Sequence, residues 1–211
     1  MMPSKDEWIK ALNDRHGEDL QSKISSTTVG ICGLGGLGSN IAIALARAGI
    51  GKLILIDFDK VDITNLHRQQ YKVSQVGMYK TEALKENLTE INPYLETEIH
   101  TVCVTEENAK ELLIDCAIIC EAFDNAECKA MLTNLVLEEM TDKYIVAASG
   151  MAGLDSVNLI KTRKVSKRFY LCGDEISDVS EGIGLVSTRV MICAAHQAHM
   201  VLRLIAEEYE V

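Results

Sequence analysis

Residues 29–39 read ValGlyIleCysGlyLeuGlyGlyLeuGlySer, an apolar run that breaks into closely spaced glycines. Gly33, Gly35 and Gly38 fit the G-x-G-x-x-G fingerprint, whose small residues permit a tight turn, close approach of backbone to phosphate and close packing of the following helix. Such a fingerprint places an acidic residue about 20 positions further on, at the end of the second strand, to hold a ribose hydroxyl. Asp57 stands there, at the head of AspPheAspLysValAspIleThrAsnLeuHisArgGln, residues 57–69. By itself the fingerprint is read as a nicotinamide or flavin dinucleotide site, with structural turn glycines as the plainer alternative.

Outward from the glycines, the pattern alternates strand and helix. Residues 27–32 form a buried strand, and the helix after the glycine loop is closed by Gly49. Strands follow at 52–57, 96–104, 116–121 and 144–148, separated by helices at 79–91, 106–113 and 126–140. This order predicts an α/β fold, a doubly wound Rossmann-like, mostly parallel sheet whose parallel part ends with 144–148. A C-terminal antiparallel extension of one or two strands is expected within 154–172, a Gly- and Asp-rich loop at 173–184, and a long apolar last helix at 185–208. Residues 1–25 make an N-terminal helical segment of one or two short helices, and 1–211 reads as a single domain.

Composition excludes several classes. A net charge of −10 argues against a general nucleic-acid surface. No apolar run is long enough to span a bilayer and the first residues lack signal-peptide features, so a cytoplasmic protein without membrane contact is expected. The seven cysteines lie in strand- and helix-like segments with no C-x-x-C pair, as reduced buried thiols do, and no zinc is expected.

The residues after Asp57 shift the chemistry. Asp59, Asn65, Arg68 and Gln69 fall in a loop at the ligand edge of the sheet, and Lys80 opens the next helix. Singly, Arg68 or Lys80 reads as surface charge. Two clustered cations suit a triphosphate, since the Arg fork and the compact Lys charge both neutralise phosphate oxygens. Asp124, after an apolar strand, is placed to hold Mg²⁺, which takes one or two carboxylates plus substrate phosphates; capping the helix that begins at Ala126 is the alternative.

GlyLeuGlyGlyLeuGlySer, the 57–69 segment, ValGlyMetTyrLys at 76–80 and AspAsn at 124–125 together resemble the ThiF/MoeB/HesA superfamily, adenylating enzymes related to ubiquitin-activating enzymes. The resemblance covers roughly residues 15–150 and, more loosely, GluGlyIleGlyLeuValSerThrArgVal at 181–190; length and the HisArgGln variant look most like the compact ThiF proteins of thiamin biosynthesis. It implies that Asp57 binds the ATP ribose, that Gly35 and Gly36 approach the phosphates, that Asn65, Arg68 and Lys80 bind the triphosphate, and that Asp124 coordinates Mg²⁺. The implied ATP-binding set is Gly33, Gly35, Gly36, Gly38, Asp57, Asp59, Asn65, Arg68, Lys80 and Asn125. Arg15 matches a family arginine that reaches into the partner subunit's site, which implies a homodimer. The implied catalytic residues are therefore Arg15, Arg68, Lys80 and Asp124.

The implied activity is ATP-dependent adenylation of the C-terminal glycine of a small ubiquitin-like sulfur carrier ending in GlyGly, of the ThiS type, served by a sulfur donor such as a cysteine desulfurase. Alternatives are another acceptor, such as a molybdopterin carrier or a tRNA base, and a dinucleotide-dependent oxidoreductase or nucleotide-binding protein. Some relatives link a crossover-segment cysteine covalently to the carrier; Cys172 is the cysteine in that region, and a packed thiol is the plainer reading. His196 and His199 are read as packing residues rather than metal ligands. Segment 154–184 is the candidate crossover and carrier-docking element. LysThrArgLysValSerLysArg at 161–168 is either a docking strip or an edge strand guarded by charge.

Overall fold

Thr28–Cys32 forms β1, buried on both faces from its second residue onward, because apolar residues without interruption suit a strand covered by helices on either side. The computed structural model describes residues 2–180 and 182–211, so Met1 and the first residue of the 181–190 motif lie outside the described residues. Two short helices, α1 (Lys5–His16) and α2 (Glu18–Ser26), precede β1. Then come α3 (Gly36–Ala48), β2 (Lys52–Ile56), α4 (Lys80–Ile91), β3 (Glu96–His100), α5 (Ala109–Leu112), β4 (Ile118–Glu121), α6 (Ala126–Glu139), β5 (Tyr144–Ala148), β6 (Lys161–Lys164), β7 (Phe169–Gly173) and α7 (Ser187–Ile205).

The sheet order is β3-β2-β1-β4-β5-β7-β6. Register in β1 is fixed on both sides, Val29 lying opposite Leu53 and Ile118. Alternate strand residues feed two cores. Val29, Ile31, Leu53, Leu55 and Cys120 pack toward α3, α4 and α7; Cys32, Ile54, Ile56 and Ile119 pack toward α5 and α6. That division is the doubly wound fold predicted from the sequence.

The C-terminal part differs from the prediction in one respect. Strand β7 runs parallel to β5, Ile145 opposite Phe169, and only β6 is antiparallel. The parallel part therefore extends beyond 144–148. The reason is that the chain lays β6 on the outside and turns back inside it, so the apolar strand Phe169–Gly173 takes the covered place and the charged Lys161–Lys164 the edge. Two other elements are shorter than expected. Strand β3 stops at His100, whose carbonyl accepts the Asp57 N–H at 3.2 Å, and the helix expected over 106–113 is the single turn α5.

Two of the five cations in the basic strip are paired with carboxylates and a third is turned onto backbone carbonyls. Arg163 pairs with Glu175 at 2.6 Å and Lys164 with Glu210 at 2.8 Å. Arg168 points inward and donates to the carbonyls of Leu137, Met140 and Lys143 at 2.8–3.0 Å, closing the C-terminal end of α6. Among the described residues only Lys161 and Lys167 of the five cations lack such a partner.

Candidate nucleotide site

From β1 the chain runs outward to β2 and β3, then returns to place β4 on the other side of β1, so a crevice opens between the carboxyl ends of β1 and β4. Gly33 leaves β1 with φ +90°, donating its N–H to the Ile56 carbonyl at 2.9 Å. Helix α3 then packs against this turn so closely that a Cβ on Gly38 would lie 1.9 Å from the Gly33 oxygen. Gly35 caps α3 without a side-chain hydrogen bond, and a Cβ there would meet nothing nearer than Gln69 Nε2 at 3.8 Å. The amide end of α3 is thereby left open to an anion. Gly36 faces α7, where a Cβ would stand 2.8 Å from Val190 Cγ1.

Asp57, 8% exposed, anchors this turn. One carboxylate oxygen accepts the Leu34 N–H at 2.6 Å and the other the Asp59 N–H at 2.8 Å, while the Tyr71 hydroxyl donates to the Leu34 carbonyl at 2.7 Å. Each carboxylate oxygen has a second lone pair, so Asp57 retains capacity for a ribose hydroxyl. Buried Lys80 is tied to Asp59 at 2.7 Å and lies 3.7 Å from Asp57. Its N–H also donates to the Asp59 carbonyl at 2.9 Å, which fixes the start of α4 beside the β2 loop.

Asn65 belongs to a 3₁₀ turn, Ile63–Asn65, and its carbonyl accepts the N–H groups of Arg68 and Gln69, each at 3.2 Å. Half-buried Arg68 has an Nε without a hydrogen-bond partner among the described residues. Burial pushes its pKa down, against the opposing pull of the Asp124 charge. Exposed Asp124 makes no side-chain hydrogen bond among the described residues, and the helix cap is Asn125, whose side chain accepts the Cys128 N–H at 2.9 Å. The two candidate roles for Asp124 therefore separate: its neighbour does the capping. A single carboxylate without a side-chain hydrogen bond among the described residues is a donor that Mg²⁺ can take together with phosphate oxygens. Among the described residues no three His, Cys, Asp or Glu side chains cluster as a metal cage.

Two residues predicted for the site stand apart from it. Arg15 ends α1, which packs at the far end of α3, where Leu12 and Gln21 cover Gly49. A 13-residue helix spans roughly 20 Å, so the Leu12 contact of α1 lies about that far from the glycine loop, and Arg15 is one turn further along α1. Cys172 is fully buried, and burial pushes its thiol up to about 12. Thr162 lies between Cys172 and His196 Nδ1, its hydroxyl 2.9 Å from that nitrogen. In the native protein at pH 8, iodoacetamide is expected to modify exposed Cys103 and leave Cys32, Cys120, Cys172 and Cys193 intact, as read by peptide mass mapping. Labelling of Cys172 at the rate of Cys103 would show a thiol that this packing does not describe.

Two buried charge pairs at the same sheet edge escaped the sequence reading. Glu121, at the end of β4, receives Lys129 at 3.0 Å and the Phe123 N–H at 2.7 Å; burial pushes its carboxyl up against the pull of Lys129. Arg189, in the first turn of α7, pairs with Asp174 after β7. The strand-end acid and a buried Arg in the first turn of an apolar helix were visible signals, but the partners were not, because each pairing depends on the loops between them.

The ThiF family model matches residues 10–211. The chain is 28% identical over 198 residues to "Adenylyltransferase and sulfurtransferase UBA4" of Lodderomyces elongisporus, covering 90% of this chain and 43% of that protein. It is 35% identical over 125 residues to "Adenylyltransferase and sulfurtransferase MOCS3" of Caenorhabditis briggsae, covering 59% of this chain and 31% of that protein. The chain thus spans less than half the length of these relatives. Among solved structures, the E. coli tRNA N6-threonylcarbamoyladenosine dehydratase TcdA in complex with ATP superposes with a TM-score of 0.86 at 22% identity, over 99% of this chain and 98% of that one. That likeness establishes the shared fold.

Proposed function

Because the chain belongs to the ThiF family, we propose that it uses ATP to adenylate the C-terminal glycine carboxylate of a small ubiquitin-like sulfur carrier of the ThiS type, for sulfur transfer in thiamin biosynthesis. One observation carries the reading: Asp57, Lys80 and the open end of α3 meet at one turn, with half-buried Arg68 in the loop beside it and Asp124, which makes no side-chain hydrogen bond among the described residues, just past the end of β4. ATP would lie with its ribose at Asp57 and its phosphates over Gly35 and Gly36, near Asn65, Arg68 and Lys80. Charge then limits how the site works. Asp57, Asp59 and Asp124 stand against Arg68 and Lys80, three negative charges to two positive, which is a poor field for a triphosphate. Further positive charge would help, and Asp124 is the carboxylate that would hold Mg²⁺, which would supply part of it to the phosphates. Arg15, a helix length from its own crevice, supplies the rest only if it enters a second copy's site, so the reading includes a homodimer.

In the reaction, a carboxylate oxygen attacks the α-phosphorus, the new O–P bond forms as the bond to the β-phosphate oxygen breaks, and pyrophosphate leaves with the bonding pair. No general base is needed, because a terminal carboxylate is ionised at neutral pH. Catalysis rests on positioning and on cations placed where phosphate charge is shed. The carrier would dock on segment 154–184, which exposes Leu154, Leu159, Ile176 and Val179, and a cysteine desulfurase or similar donor would act on the adenylated product. No described helix is long and apolar enough to cross a membrane; the proposal places the protein in the cytoplasm.

The TcdA likeness favours a second acceptor, a carboxylate borne on a tRNA base, which meets ATP by the same chemistry. A net charge of −10 weighs against it, as does the pairing of Arg163 and Lys164 in the basic strip with carboxylates. ATP–pyrophosphate exchange decides: we expect exchange only with a carrier ending in GlyGly. Exchange that requires tRNA moves the function to the second reading, and tight NAD(H) binding without exchange overturns both.

A further inference from the structure

We propose that Arg189 and the first turn of α7 form the subsite that receives the acceptor's terminal carboxylate, an inference that rests on the adenylation reading above. Arg189 has a side chain only 2% exposed, yet of its three guanidinium nitrogens just Nη2 is used, on Asp174 Oδ2. Nε and Nη1 have no hydrogen-bond partner among the described residues. Buried guanidinium donors without acceptors are costly and rare, and an anion is their natural complement. Asp174 does not meet that demand. Its other oxygen is committed to the Ile176 N–H, the Ser177 N–H and the Ser177 hydroxyl at 2.8–3.0 Å.

The placement matches an acceptor channel. Arg189 is the third residue of α7, and helical side chains lean toward the N-terminus, so its free donors join an amide end whose cap, Val186, offers no side-chain hydrogen bond. The same turn touches the nucleotide loop: Val190 abuts Gly36, and the Leu185 carbonyl lies 3.2 Å from His67 Nε2, beside Arg68. Phosphates have their own cations at the β1–β2 side. Arg189 stands at the ends of β5 and β7, across the crevice, where a nucleophile can enter without displacing ATP. The loop that supplies Asp174 also carries Ile176, Val179 and Ile183, which are exposed rather than packed.

The test uses N-acetyl-glycylglycine as probe, its C-terminal amide as control, and inorganic pyrophosphate to distinguish the two anions present in the reaction. The Nε–H signal of Arg189, assigned through Arg189→Lys, is expected to shift on titration with the carboxylate and not with the amide or pyrophosphate. No shift, an equal shift with the amide, or a shift with pyrophosphate alone would overturn the subsite. In exchange assays, Arg189→Gln is expected to raise the KM for the carrier tenfold or more, whereas Arg189→Lys, which keeps the charge but not the fork, recovers part of the loss. Should Arg189→Gln not fold, Arg189→Lys and the titration still decide. Exchange with an unchanged carrier KM sinks the subsite and leaves the adenylation reading standing; a carboxylate-specific shift without any exchange does the reverse.

Discussion

Gly38→Ala is expected to lower the unfolding free energy by about 3 kcal/mol, at the upper end of overpacking costs, and to abolish measurable ATP binding. The added methyl would stand 1.9 Å from the Gly33 oxygen, a backbone atom with no rotamer to escape into. Gly33 cannot retreat either, because its N–H is held by the Ile56 carbonyl and its Cα faces the Ala122 carbonyl across β4. Relief therefore requires α3 to slide off the turn, which carries the open amide end away from the phosphates. Gly35→Ala is the matched comparison. Its methyl meets nothing within 3.8 Å, so the fold should persist while the phosphate approach is blocked. Urea titration and calorimetric ATP titration of both variants separate the packing glycine from the ligand glycine; wild-type behaviour of Gly38→Ala would refute the turn as described.

The contrast between these two glycines also marks how far sequence reasoning reaches. The fingerprint placed Gly33, Gly35 and Gly38 on one turn, because only such a spacing takes a strand into a helix over a phosphate. Distances assign them different jobs. Likewise the apolar runs of β1, β2, β4 and β5 were legible because a strand covered on both faces has to be apolar throughout. The order of β6 and β7 was not legible, since a charged and an apolar strand in succession are compatible with either one lying inside. The 161–168 strip left two readings open for a related reason: charge is a property of residues, but the pairing of Arg163 with Glu175 and of Lys164 with Glu210 belongs to the folded chain. Asp124 and Asn125 are adjacent and both competent helix caps, and only the bond from Cys128 tells which one is used.

That bond makes Asp124→Ala the sharpest substitution at the site, with exchange expected to fall about a thousandfold and stability to stay within about 0.5 kcal/mol of wild type. The stability part follows from exposure and from the lack of a side-chain hydrogen bond to this carboxylate among the described residues. The ATP part has a sign that a merely structural residue would not produce. Removing one carboxylate changes the crevice from three negative charges against two positive to two against two. ATP in excess EDTA should then bind Asp124→Ala at least as tightly as wild type, while the gain that Mg²⁺ brings to the wild-type protein should vanish. Calorimetry with and without Mg²⁺ reads both limbs. If Mg²⁺ strengthens ATP binding equally in the two proteins, another carboxylate holds the metal, and Asp59, already at the nucleotide edge beside Lys80, is the next to replace.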